Sequence, residues 1–431
     1  MNTIHRRLAI VLLSTISAAY ALPPLGMFVP YDINIKLKKP VAGHFQLNVL
    51  GEKSYHVHGW ATDYKEEETF CVDVLQIYEP VQNVVSLYQG YDASGTVIQT
   101  LTTPFTQLLD SIAGGPGGGV SNFNNGVFQP TGKLSCGQVA LSSSYGVGRG
   151  FYISAYLPFY FTKLSHAKWH YAGTNTLFSD QKIQEELITT FAQDAQKYFD
   201  LNIGNWNRKG LGDLTIMAEW QRDFIQQRPT LKNVQTMVRL GISLPTSLKN
   251  CDTIILPIAF GADGAIGIPF GGGISINLGN VCEVGFSGQF WYYWSNEKIR
   301  RIKTFPTQTT LLYPVLTKTY KEFSIIQNFN LHALLYSFCK RFTLKGFYQY
   351  WRKGEDRLIP LSSNFNFDIV NSSRDLEEET RHQFCVLATY SPLKGDFEKY
   401  IPQFEIFWKT TINGTRTAAA STYGAQFSLI F

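Results

Sequence analysis

Apolar and polar residues alternate with a period of two along most of the chain. At the C-terminus, Tyr423, Phe427 and Phe431 fall on one face of this pattern, and Gln426 and Ser428 fall on the other. Such alternation indicates β-strands whose two faces meet different environments. We therefore expect strands over 42–60, 133–146, 149–162, 211–222, 234–245, 264–278, 281–294, 322–338, 341–353, 379–392, 399–411 and 417–431.

The predicted strands are long enough to cross a lipid bilayer, which takes about 9 to 11 residues per strand. Strands of globular sandwiches also alternate, but they average only about 5 to 6 residues. Aromatic residues cluster near strand ends, as at Trp291–Tyr293 and Tyr348–Trp351, which is typical of membrane-interface girdles. The pattern favours an all-β protein, a transmembrane antiparallel up-and-down β-barrel of about 12 strands, within a range of about 10 to 14.

The connections alternate in length. Long connections follow odd-numbered strands, and the two longest cover about 61–132 and 163–210; short turns lie at Gly146–Gly148 and Gly279–Asn280. Outer-membrane barrels have long external loops and short periplasmic turns, so we expect both termini in the periplasm. We expect the apolar segment Val81–Leu109 to plug or gate the barrel mouth. Apolar residues at near-helical spacing predict a short amphipathic helix over Asp180–Phe199.

The N-terminus has the three parts of a secretory signal. The basic residues His5–Arg7 precede a short apolar run, Leu8–Ile16, and Ala19-Tyr20-Ala21 forms a small-x-small cleavage site. This arrangement predicts a cleaved signal peptide over 1–21. Residues 22–431 would then form a single barrel domain, exported to the outer membrane of a Gram-negative-type bacterium.

Charged residues make up only 16% of the chain and aromatic residues 14%, whereas about 25% of a soluble domain is charged. A barrel that faces lipid on one side explains this balance. The net charge is +5, but the basic residues are not clustered in a run, so we expect no nucleic-acid partner.

Six cysteines occur without any CxxC pair. Cys71 and Cys136 flank the first long connection, and we expect a disulfide between them, although six cysteines allow about fifteen pairings. His56 with His58, and His166 with His170, have spacings that could bring two metal ligands together, but neither pair has a third ligand in a recognisable motif. We therefore expect no metal and no cofactor.

Eight ionisable residues on the polar faces of the strands would point into the barrel. Buried charges must be paired or wetted, so either a sealed interior held by ion pairs or an aqueous channel fits them. These candidate lumen-lining residues are Glu219, Arg239, Glu283, His332, Arg341, Lys345, Glu405 and Lys409.

The last nine residues, with Tyr423, Phe427, Leu429 and Phe431 on one face, resemble the C-terminal assembly signal of bacterial outer-membrane β-barrels of the porin-like class. The resemblance implies recognition by the barrel-assembly machinery and insertion into outer-membrane lipid. Gly210–Ile216 followed by Val238–Thr246 is similar to two neighbouring strands of phenol-degradation (MetA-pathway) transporter-like barrels, which are related to long-chain fatty-acid transporters. That second resemblance implies passage of small hydrophobic molecules.

We therefore expect an outer-membrane channel or transporter for small solutes, including hydrophobic ones, gated or plugged by the first long loop. The alternatives are a surface structural or adhesive barrel with a sealed lumen and, third, an outer-membrane hydrolase. Ser324 and His332 fall on one face of a predicted strand and would serve such a hydrolase, but no GxSxG motif occurs. The expectation is that the protein is not an enzyme.

Overall fold

The first predicted strand and the last lie side by side, and this pairing closes the sheet. The computed structural model describes residues 43–62, 69–88, 90–91, 97–99, 126–173, 178–279, 281–336, 341–392 and 401–431. Twelve antiparallel strands form the closed barrel, each paired with its neighbour in sequence. They are β1 Phe45–Thr62, β2 Val127–Gly148, β3 Phe151–Tyr171, β4 Leu214–Ile225, β5 Leu231–Leu244, β6 Gly267–Leu278, β7 Cys282–Tyr293, β8 Ile326–Tyr336, β9 Phe342–Lys353, β10 Glu379–Tyr390, β11 Ile401–Thr415 and β12 Thr417–Ile430. The prediction of twelve strands in an up-and-down barrel is confirmed.

The seam of the barrel joins β1 to both β2 and β12. Leu47 pairs with Leu429 on one side, and Phe45 pairs with Tyr145 on the other. At the end of the seam the backbone N–H of Phe431 donates to the Phe45 carbonyl at 2.8 Å, and the two rings are 5.8 Å apart. The terminal aromatic residue therefore completes the ladder that closes the sheet.

The outward face of the barrel is an apolar band. Val238, Leu240, Leu331 and Ile406 are each more than half exposed, and they alternate with buried inward residues on their strands. Exposing such a continuous apolar surface to water would be unfavourable, whereas contact with lipid tails is not. The strands therefore span a membrane.

Among the helices that the structure describes, none is both long and apolar enough to cross a membrane.

The inward face of the barrel is filled largely by its own side chains. Gly424 of β12 leaves no room for a Cβ, because the Phe407 ring of β11 lies against it. Trp351 and Asn328 are fully buried. The interior between the two rims is therefore narrow rather than a wide aqueous pore.

Strands β2 and β3 extend well past the membrane thickness. They have 22 and 21 residues, and β3 also pairs with the short strand Trp206–Leu211. The predicted long loops 61–132 and 163–210 are thus shorter than expected, because β1 continues to Thr62, β2 starts at Val127 and β3 continues to Tyr171. His166 has a positive φ, and the register shifts beside Lys133. Both irregularities interrupt the period-two alternation, so the strands predicted from it were shorter than the observed β2 and β3.

All long connections leave the same end of the barrel, as the sequence predicted. They cover 63–126, 172–213, 245–266, 294–325 and 354–378, while the opposite end has short turns such as 149–150 and 226–230. The helix expected over Asp180–Phe199 is present as α1, Phe178–Phe199, and buries Leu187 and Phe191. A three-stranded sheet of Asn296–Ile302, Val315–Glu322 and Arg357–Pro360 and a short helix α2, Phe367–Asn371, complete this long-loop end.

Two predicted features fall outside the described residues in whole or in part. The signal peptide over 1–21 lies outside them altogether. Of the expected gating segment Val81–Leu109, the structure covers 81–88, 90–91 and 97–99, and Val84 and Leu87 are fully buried there. Both features stay predictions.

Deleting Phe431 should slow and reduce refolding into lipid vesicles, because the closing hydrogen bond to Phe45 and the ring contact are lost. Heat-modifiable mobility on a gel measures the folded fraction. Phe431→Tyr keeps the ring and the backbone bond and serves as the control, with near-normal folding expected. Equal folding of the full-length and shortened chains would contradict the role of Phe431 at the seam.

Candidate solute pathway

A cavity of about 170 Å³ lies at the long-loop end of the barrel. One side is formed where β8 begins, β9 ends and β10 begins, at Ile326, Lys353 and Glu379. These three positions are next to each other in the sheet. The long loop 245–266 forms the opposite side, so the space sits between the barrel rim and the loops above it. We call it the mouth cavity.

One wall of the mouth cavity is apolar. The loop that provides most of it is fixed by backbone bonds, since the Ile255 N–H donates to the Asn202 carbonyl at 3.1 Å. The Trp206 Nε1–H also donates to the Ile255 carbonyl at 3.0 Å. The apolar lining side chains include Ile254, Ile255, Leu256, Ala259, Leu311 and Leu358.

The lining also carries many charges, which together we call the charged wall: five acidic and four basic side chains, with a formal charge of −1 when all are ionised. The acidic residues are Asp252, Asp263, Asp356, Asp375 and Glu379. The basic residues are Arg300, Arg301, Lys321 and Lys353.

Asp263 anchors the loop 245–266 to the neighbouring hairpin. Its carboxylate is 2.9 Å from Lys298 Nζ and 3.1 Å from an Arg300 nitrogen, and it accepts from the Asn250 N–H at 2.9 Å. Burial alone would raise the pKa of Asp263, but Lys298 and Arg300 lower it below the ordinary value of 3.8. The stabilisation is therefore present above pH 3.8 and is lost as the pH falls through the lowered pKa.

Asp356 joins three pieces of the long-loop end. It is 2.8 Å from Lys321 and 3.2 Å from Lys353, and it accepts from the Ser324 N–H at 2.9 Å. Burial opposes ionisation, yet the two lysines bring the pKa of Asp356 down to about 2. Asp356 is therefore an ionised structural anchor at neutral pH.

Glu379 has a different environment although it is a neighbour of this anchor. Its side chain is almost completely buried, and Lys353 Nζ lies 3.6 Å from its Oε1. That separation is an ion-pair contact but is too long for a hydrogen bond.

Directly below the mouth cavity the interior narrows around Trp351. Its side chain is fully buried, and the Arg381 guanidinium lies 5.5 Å from the ring centroid. Asn328, Gln349 and Gln383 are also buried in this region. A solute that leaves the cavity toward the barrel centre must therefore pass closely packed side chains.

The rest of the interior carries charges in local partnerships. Lys409 is 2.7 Å from Glu52, and Glu283 is 3.4 Å from His332 and accepts from Tyr336 at 3.1 Å. These contacts satisfy the requirement that buried charges be paired.

The eight sequence-predicted lumen residues occupy different surroundings. Arg239 is buried beside Gln289, Glu219 accepts from Tyr156, Glu405 is buried, and Lys345 lies near the Phe347 ring. Arg341 is exposed and directly precedes β9. The strand starts one residue later than predicted, which leaves Arg341 in the turn.

The candidate pair for a hydrolase does not come together. The Ser324 hydroxyl donates to the Gly354 carbonyl at 2.7 Å in the loop above β8, whereas His332 contacts Glu283 within the barrel. Eight residues of extended chain separate them, which corresponds to roughly 26 Å. His332 is therefore not positioned to activate this serine in the manner that nucleophilic catalysis requires.

The predicted disulfide is not formed in the structure. Cys71 is exposed and Cys136 is buried, and both are free thiols, because Cys136 packs into the interior apolar cluster while Cys71 is at the surface. Within the described ranges, no three His, Cys, Asp or Glu side chains are grouped closely enough to hold a metal ion.

Sequence reasoning missed the charged wall of the mouth cavity. Lys353 and Glu379 alternate in step with the inward-facing residues of their strands. Extending the period-two pattern to the strand ends would have identified both as interior residues. Asp263 and Asp356 lie in loops, and Asp263 is 37 residues from Arg300, so no local pattern signals their partners.

No protein-family model matches the sequence, and no curated protein matches it. Among solved structures, the chain is similar to an outer membrane channel from Pseudomonas putida F1, with a TM-score of 0.50 and 10% identity over 94% of this chain and 100% of that one. It is also similar to a Pseudomonas aeruginosa FadL homologue, with a TM-score of 0.31 and 9% identity over 96% and 99% of the two chains. At these identities the first likeness shows the barrel fold alone, and the second is too distant to support any argument. The predicted outer-membrane type of barrel is confirmed as a fold.

Asp263→Asn should loosen the loop 245–266, because it leaves buried Arg300 without its counter-charge. Removing one member of a buried ion pair costs about 3 kcal/mol or more, and hydrogen exchange of the loop amides measures this local free energy of opening. Glu297→Gln breaks the exposed pair with Lys318, at 2.6 Å, and should cost less than about 1 kcal/mol. Equal exchange in the two variants would contradict the anchoring role.

Proposed function

We propose that the protein is an outer-membrane channel or transporter for small solutes, including apolar ones. The observation that carries this proposal is the mouth cavity, which has an apolar wall and lies at the long-loop end of the barrel, above its interior. The fold supports it, since a barrel of this size lies between filled eight-stranded barrels and open porins.

The size of the mouth cavity sets the scale of the solute. A cavity of about 150 Å³ in an apolar core admits benzene, and the mouth cavity has about 170 Å³. Its apolar wall would bind a ring or a short aliphatic body through burial of apolar surface, at about 25 cal/mol per Å². Solutes of monoaromatic size therefore fit the site.

We also propose that the long-loop end faces the cell exterior and that both termini are periplasmic. The alternation of long and short connections supports this orientation. The signal-like segment over 1–21 supports export through the inner membrane. In intact cells, cleavage of the long loops by added protease, or biotin labelling of single cysteines placed in these loops, tests the orientation.

Recognition by the barrel-assembly machinery is a further part of the proposal. Tyr423, Phe427, Leu429 and Phe431 share the outward face of β12, and Tyr423 and Phe431 are exposed there. If the machinery reads this face, Tyr423→Ala should lower insertion in cells more than it lowers refolding into pure lipid. Equal losses in both settings would contradict recognition by the machinery.

A barrel with a sealed lumen is the second candidate, and the filled interior around Trp351 favours it. In that case the external loops would carry a structural or adhesive function. A hydrolase is not proposed, because Ser324 and His332 lie far apart. Planar-bilayer recordings of the refolded chain separate the first two candidates, since only a channel produces discrete conductance steps.

Ala259→Trp should block solute entry, because the indole would occupy the mouth cavity that Ala259 lines. Uptake of radiolabelled toluene by a porin-depleted Gram-negative host should fall toward the level of cells without the protein. Ile188→Trp adds the same group at an exposed position of α1 and should leave uptake unchanged. Normal uptake by a correctly folded Ala259→Trp protein would contradict entry through the cavity.

Deletion of 80–115 should raise single-channel conductance if the first long loop gates the mouth. The buried residues Val84 and Leu87 of this segment pack into the same apolar cluster as Leu134 of the barrel wall, which supports a closing role. Leu87→Asp is a milder variant that should release the segment and raise the conductance in the same direction. Unchanged conductance in both folded variants would refute the gate.

A further inference from the structure

The charged wall of the mouth cavity contains a carboxylate with unused hydrogen-bonding capacity. Glu379 is 1% exposed and lines the cavity. In the part of the chain that the structure describes, neither of its oxygens accepts a hydrogen bond. Lys353 Nζ, at 3.6 Å, is beyond hydrogen-bond length. An ionised carboxylate can accept about four hydrogen bonds, and a buried acceptor without a donor is unfavourable.

We infer that the mouth cavity binds a small organic ammonium ion, meaning a primary amine carried on an apolar body of about the size of a benzene ring. This inference rests on the proposed channel function and names the solute class of the same site. The ammonium group donates to Glu379, and the apolar body packs on the opposite wall beside Ile255, Leu256 and Ala259.

The charges of the lining favour a cation over an anion. With five acidic and four basic side chains, the lining has one more acidic group than basic groups, and a monocation complements this excess. The basic side chains of the lining are already engaged with carboxylates or backbone carbonyls: Lys321 and Lys353 contact Asp356, Arg300 contacts Asp263, and Arg301 donates to the Asp252 and Phe199 carbonyls. An anionic solute would therefore meet acidic groups and compete for cations that hold the loops.

The three donors of an ammonium group also distinguish it from an alcohol. A hydroxyl supplies one donor and no charge, whereas an ammonium group supplies three donors and a positive charge. Hydrogen bonds between charged partners are shorter and about twice as strong as neutral ones. Moving an ammonium group out of water is unfavourable unless it is paired and hydrogen-bonded, and Glu379 provides the pairing.

A matched series of ligands tests the inference on the full chain in detergent micelles. Benzylamine, benzyl alcohol, toluene and benzoate share one ring and differ only in the polar group, and ligand-observed NMR with empty micelles as the blank measures their binding at pH 7. We expect benzylamine to bind most tightly and benzoate most weakly. Glu379→Gln should lower the ratio of benzylamine affinity to toluene affinity by about tenfold, since one charge-assisted hydrogen bond is lost.

Glu378→Gln is the matched control. Glu378 is adjacent in sequence but pairs with Arg352 away from the cavity, so this variant should keep the wild-type ratio. Benzoate binding as tightly as benzylamine in the wild type would overturn the inference, and so would an unchanged ratio in folded Glu379→Gln.

If the Glu379→Gln variant does not fold, the wild-type series decides the question by itself, because the inference requires benzylamine to bind more tightly than benzoate. Binding of toluene without any preference for the amine removes this inference and leaves the proposed channel function in place. Failure of every ligand, toluene included, removes both.

Discussion

Closure of the hydrogen-bond ladder is the constraint on which the rest of the structure depends. In lipid a backbone N–H or carbonyl without a partner costs several kcal/mol, so a membrane-spanning sheet must have no open edge. Here β1 satisfies this by pairing with β12 from Gln46 to Trp60, and with β2 on its other side. In the closed sheet the number of strands sets the width of the interior. Because side chains alternate between the two faces of a pleated strand, every second residue points into that interior.

A twelve-stranded barrel has more interior space than small side chains can fill. In this chain large side chains extend inward across it, and glycine on a neighbouring strand makes room for them, as Gly424 does for Phe407 and Gly267 does for Tyr293. Charged groups such as Lys409 and Glu52 are placed in the same layers and are paired there. The central interior is therefore closely packed, and the solute-sized mouth cavity lies at the rim, where loops rather than strands complete the wall.

The barrel could be predicted from sequence because period-two alternation is a local property that each strand carries on its own. Phe404, Ile406 and Trp408 indicate an outward face without any knowledge of the neighbouring strand. The mouth cavity could not be predicted in this way, because its walls depend on contacts between distant segments. Asp263 adopts a positive φ and meets Arg300 of a hairpin, and Asp356 meets Lys321 of that hairpin.

The charged wall of the mouth cavity has two kinds of members, which differ in how their hydrogen-bonding capacity is used. Asp263 and Asp356 each contact two cationic side chains and accept from a backbone N–H, so they hold loops to the rim. Glu379 is as deeply buried but accepts no hydrogen bond from any described residue. Burial of a charge is unfavourable unless its partners are complete. The two oxygens of Glu379 without hydrogen bonds, at the wall of a cavity of benzene size, therefore indicate binding, while the close cations and backbone N–H groups around Asp263 and Asp356 indicate structure.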